Sequence, residues 1–126
     1  MKRRGFILGV GMTLLAGCGG SESIDETIES SLDEEGIEVT SVTARSDVIQ
    51  IRYRPTDDPD EDVYVIADLY ARLVNGGEDR SFFAIATTDD DSIDFRFDIE
   101  HEWALHYNDG LLTEEEYSER IEETIR

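Results

Sequence analysis

Hydrophobic and charged positions alternate most regularly between Ile93 and Glu100. Ile93, Phe95, Phe97 and Ile99 are interleaved with Asp94, Arg96, Asp98 and Glu100. A period of two places each set on its own side of a strand, which predicts one buried and one wet face. Val48 to Arg54 carries the same signature, with Ile49, Ile51 and Tyr53 set against Gln50, Arg52 and Arg54, and Pro55 ends it. Residues 37–44 are rich in β-branched side chains, and the polar Arg45-Ser46-Asp47 between these two runs predicts a hairpin. A further strand is expected over 80–87, around Phe82, Phe83 and Ile85, turning at Asp89-Asp90-Asp91 into the strand at 93–100.

The remaining segments follow helical spacing. Ile24, Ile28 and Leu32 recur four apart, after Ser23 and Glu26 in the positions of a capping box and before a stop at Gly36. Thr56 to Asp62 is expected as a polar acidic loop. Val63, Ile66, Ala67, Tyr70, Leu73 and Val74 then mark the most buried helix, ended by Asn75-Gly76-Gly77. Residues 101–107 form a short helix or turn around Trp103. The last helix starts at the cap Thr113, with Glu116 as its partner, and points Tyr117, Ile121 and Ile125 inward. The order αββαββαα predicts an α+β fold: a single two-layer domain with a four-stranded, mainly antiparallel sheet and helices packed on one face.

The N-terminus breaks this pattern. Lys2, Arg3 and Arg4 precede an uncharged run from Gly5 to Gly20. That run is shorter and richer in glycine than a membrane-spanning helix of about 20 apolar residues. It fits a cleaved export signal: a basic start, an apolar middle and a small-residue cleavage site. Leu15-Ala16-Gly17-Cys18 is similar to the lipobox, in which the cysteine is lipidated and the signal is cut before it. Arg3-Arg4-Gly5-Phe6-Ile7-Leu8 resembles the twin-arginine export motif, with the general secretory route as the alternative. The expected organisation is a signal peptide over 1–17, a lipidated Cys18 and spacer over 18–22, and one acidic domain over 23–126.

Charge sharpens this picture. The 126 residues contain 31 Asp and Glu against 11 Lys and Arg, a formal charge of −20. Losing Lys2, Arg3 and Arg4 with the signal takes it to −23, and every basic residue then left is an arginine. So dense a carboxylate surface repels itself, and molar salt shortens the Debye length to about 3 Å and screens the repulsion. Acidic excess without lysine resembles proteins of salt-loving archaea. Taken with Arg3-Arg4, Leu15 to Cys18 and the C-terminal run from Trp103 through Tyr107-Asn108-Asp109-Gly110 to Thr113-Glu114-Glu115-Glu116-Tyr117, the chain resembles small exported lipoproteins of haloarchaea. That resemblance implies lipid anchoring at the extracytoplasmic face of the membrane and carries no catalytic chemistry.

Candidate chemistry downstream of Cys18 is sparse. His101 and His106 sit five apart, about 140° around a helix, where a zinc pair needs four. Asp58, Asp60 and Asp62 have the spacing of a calcium loop, but Val63 and Leu69 replace its glycine and glutamate. Solvated loops account for these aspartates and for Asp89 to Asp91, with weak cation binding as the alternative. No phosphate-binding loop or nucleophile elbow is present, and no basic patch suits nucleic acid. Neither cofactor nor metal nor catalytic residue is expected. The expected function is a non-catalytic binding or scaffold module with an envelope protein partner; the alternative is a small envelope enzyme or metal-dependent hydrolase.

Overall fold

A computed structural model of the chain describes residues 23–126. Eight elements follow one another: α1 (Ile24–Glu34), β1 (Glu38–Ala44), β2 (Val48–Arg54), α2 (Pro59–Asn75), β3 (Ser81–Thr87), β4 (Ile93–Ile99), α3 (His101–Asn108) and α4 (Glu114–Glu122). The strands lie side by side in chain order. The two outer pairs, β1–β2 and β3–β4, are antiparallel hairpins. The central pair, β2–β3, is parallel. Two strands joined by a helix that returns along the sheet must run in the same direction, and α2 is that crossover. The sheet is therefore mixed and mostly antiparallel, with two hairpins joined through a βαβ unit.

Alternation along the strands sorts the core to one side. Ile49, Ile51 and Tyr53 from β2, Phe82, Ala84 and Ala86 from β3, and Phe97 and Ile99 from β4 are buried in one cluster. The helices add Ile28 and Leu32, Ile66 and Tyr70, Ala104, Tyr117 and Ile121 to that same cluster. The Tyr70 and Phe82 rings meet at 5.2 Å and lock α2 onto β3. Two side chains tie the C-terminal helices to the backbone of α2. Tyr117 Oη donates to Ala67 O at 2.9 Å and Asn108 Nδ2 donates to Ala71 O at 2.9 Å.

The helix stops work through local backbone geometry. At the end of α1, Ile37 N–H donates to Leu32 O at 2.9 Å and Gly36 N–H to Asp33 O at 3.0 Å. This pair of bonds needs a left-handed residue between helix and strand. Gly36 supplies it at φ +83, although a side chain there would meet no atom within 4 Å. Conformation, not space, demands glycine at this position. The same paired bonds close α2 at Gly77 and α3 at Gly110.

The structure corrects the sequence reading at two ends. Residues 59–62 are the first turn of α2, not part of a loop. Pro59 takes the first helical position, where its missing N–H costs nothing, and Asp58 Oδ1 accepts from Glu61 N–H at 3.2 Å as the cap. At the other end, α4 stops at Glu122, so Ile125 does not face inward and is 41% exposed. The last residues run along β4 instead. Arg96 and Arg126 exchange backbone hydrogen bonds of 3.1 Å, and Thr124 Oγ1 accepts from Asp98 N–H at 2.8 Å. This covers an otherwise open sheet edge.

Candidate functional site

The acidic clusters are occupied by local structure. Asp62 is buried, and its carboxylate accepts from Thr56 N–H at 2.7 Å and from Thr56 Oγ1 at 2.6 Å. It closes the turn that leads into α2. At the β3–β4 turn, Asp90 accepts from the Thr88 hydroxyl and from Ser92 N–H, and the hydroxyl holds its carboxyl below the usual range. Asp91 adopts φ +67 and pairs with Arg54 across the sheet. His101 opens α3, while His106 lies one turn from Glu102, Nε2 to Oε2 at 4.0 Å. Among the described residues no group of three or more His, Cys, Asp or Glu side chains is placed to hold a metal ion.

A groove of about 530 Å³ lies between α2 and α4, lined by Glu61, Tyr64, Glu114, Glu115, Ser118, Glu119 and Glu122. Tyr64 Oη donates to Glu122 at 3.3 Å, and the nearby carboxylate raises the phenol above its usual range. Three of these glutamates belong to the first turns of α2 and α4. Acids are favoured there because they complement the positive end of the helix dipole. Helix stability therefore accounts for much of this charge without a ligand.

The C-terminal run that resembles a lipoprotein signature is accounted for by packing. Tyr107 and Tyr117 stack at 4.7 Å, Asn108 and Tyr117 bond to α2, and Gly110 ends α3. Thr113 and Glu116 form the capping box expected of them, Glu116 N–H donating to Thr113 Oγ1 at 3.1 Å and Thr113 N–H to Glu116 at 2.9 Å. These residues hold the last two helices on the domain.

Arginine chemistry gathers on the sheet face opposite the core cluster. The register sets Arg52, Ile85 and Arg96 in one row across β2, β3 and β4, and Gln50, Phe83 and Asp98 in the next. Arg54 and Glu38 close the β1 side, Nη1 to Oε2 at 2.7 Å. Arg126 reaches over from the chain end, 5.8 Å above the Phe83 ring, and pairs with Asp98 at 2.8 Å. Four of the eight arginines in residues 23–126 thus share one face. Among the described residues, Arg52 and Arg96 form no ion pair. Ile85 is only 5% exposed yet stands outside the core cluster, between the two. The strand patterns showed arginines on the polar side of each strand, but only the pairing register brings them together.

Cys18, Arg3, Arg4 and the expected signal and spacer over 1–22 lie outside the described residues. No described helix is long and apolar enough to cross a membrane. No curated protein and no solved structure matches the chain. A family model does match, over residues 19–126, and covers every element of the fold. The chain belongs to the family described as Domain of unknown function (DUF8159).

Proposed function

We propose that this domain is a lipid-tethered, salt-adapted binding module of the cell envelope. It hangs from Cys18 on the extracytoplasmic side and works through its bare sheet face. The observation that carries the reading is the clustering of arginines on one sheet face, two of them without an ion-pair partner among the described residues. In a domain with a large excess of carboxylates, half of the arginines collect on one sheet face; Arg54 and Arg126 are paired there with Glu38, Asp91 and Asp98, while Arg52 and Arg96 flank Ile85 beside Phe83. A face built only for hydration in strong salt would not concentrate guanidinium groups beside apolar side chains.

Three sequence features support the envelope placement: the lipobox-like Leu15 to Cys18, the basic start with Arg3 and Arg4, and the lysine-free acidic domain. They favour kinship with the exported lipoproteins of haloarchaea. Two lipid chains on one cysteine give stable anchoring where one chain gives marginal binding. The binding role follows from the open face and needs no catalytic group.

Replacement of Cys18 by serine tests the anchor. Native protein is expected in the membrane fraction, with an intact mass equal to residues 18–126 plus lipid. The Cys18→Ser protein is expected to lack the lipid mass and to keep residues 1–17. A variant that stays in the membrane at the parent's mass contradicts the reading.

A further inference from the structure

We infer that the bare sheet face lies against the anionic headgroups of the membrane that carries the tether. The inference rests on the lipid-tethered reading and adds the orientation and the partner surface. Five residue steps separate Cys18 from Ser23, at most ~18 Å of chain. A domain held that closely must turn one of its sides to the lipid.

Topology makes the sheet face available. α1 joins the edge strand β1 through the tight turn at Gly36 and packs Ile24, Ile28 and Leu32 in the helix layer over the core. The helix layer is about one helix diameter thick, ~10 Å. Helix-to-sheet spacing of ~10 Å and ~5 Å of side chain on the far face come to about 15 Å, so the tether passes the β1 edge to the opposite face only when nearly fully extended.

Charge then selects among the sides. The helix side offers carboxylates to an anionic surface, as the groove between α2 and α4 illustrates with Glu61, Glu114, Glu115, Glu119 and Glu122. On the sheet face Glu38, Asp91 and Asp98 are taken up by Arg54 and Arg126, which leaves Arg52 and Arg96 without an ion-pair partner among the described residues. A guanidinium matches a phosphate oxygen pair with two parallel hydrogen bonds. Ile85 between them and Phe83 in the next row give the face a partly apolar floor. At physiological ionic strength or below, two arginines at an anionic surface favour the touching orientation by about 30-fold, the equivalent of ~2 kcal/mol, and the preference shrinks as salt is raised.

Arginine footprinting tests this. The chain from Cys18 to Arg126, whose core residues all lie between Ile28 and Ile121, is coupled through the Cys18 thiol to a maleimide lipid. The vesicles are phosphatidylglycerol or, for comparison, phosphatidylcholine. Salt is kept at the lowest level that preserves full circular dichroism. Phenylglyoxal modification of each arginine is then read by mass spectrometry, with the uncoupled chain as reference. Chemical coupling makes the result independent of whether cells lipidate Cys18. On phosphatidylglycerol, Arg52 and Arg96 should be modified about tenfold more slowly than in the uncoupled chain. Arg72, on the exposed side of α2 beside Asp68, should be unchanged, and phosphatidylcholine should protect neither. Equal modification of Arg52, Arg96 and Arg72 on both vesicles would overturn the inference. So would protection of Arg72 in place of the other two, or protection that arises only when soluble polyglutamate is added, which would point to an acidic protein.

Discussion

The two faces of one sheet differ in what holds them. The covered face is apolar, continuous and tied to four helices through the cluster that includes Tyr53, Phe82, Phe97 and Ile99. The bare face carries side chains of the same strands, one position along, and it is held by ion pairs at its margins: Arg54 with Glu38 and Arg126 with Asp98. Burying apolar area contributes roughly 25 cal/mol per Å², whereas an exposed ion pair contributes about 0–1 kcal/mol. The comparison teaches that stability and recognition are separable here at the level of strand parity. Neighbouring residues in one strand belong to different tasks.

Truncation of paired phenylalanines breaks this comparison most sharply if it is wrong. Phe97 is fully buried on the covered face, and Phe97→Ala should cost about 3–5 kcal/mol in denaturant unfolding. Phe83 is half-buried on the bare face beneath Arg126, and Phe83→Ala should cost only ~1 kcal/mol. Equal losses would mean that the bare face is a second core.

Two buried tyrosines sharpen the account of the covered face. Tyr117 Oη donates to Ala67 O, and burial pushes its phenol well above the usual range. Tyr117→Phe should therefore lose about 1 kcal/mol. The hydroxyl of Tyr53 is buried with no hydrogen-bond partner among the described residues. Removing an unsatisfied hydroxyl relieves its desolvation, so Tyr53→Phe should be neutral or stabilising by up to about 1 kcal/mol. Thermal unfolding of the two variants side by side checks the opposite signs.

Much of the fold was legible from the chain because the signals were local. The alternation in β2 and β4, the capping box at Thr113 and the glycine stops each depend on a few neighbouring residues. The parallel pairing of β2 with β3 was less legible, since it depends on where α2 returns. The start of α2 was hidden because Pro59 and its acidic neighbours read as loop chemistry, although proline and acids both suit a first helical turn. Burial of Asp62 could not be foreseen either; it follows from the Thr56 turn folding back on the helix. For the candidate site, parity placed Arg52, Arg54 and Arg96 on the polar sides of their strands. It could not show that Arg52 and Arg96 flank Ile85, because that row depends on the register between β2 and β3, which are separated in the chain by α2.

The most direct measurement is the unfolding free energy of the Arg52→Gln, Arg96→Gln double variant, taken by denaturant titration in the same high-salt buffer as the parent. A face that serves recognition and not folding predicts a change within about 0.5 kcal/mol, as for surface substitutions away from packed or paired groups. A loss of more than ~2 kcal/mol would contradict the account, because it would make the unpaired arginines part of what holds the domain together.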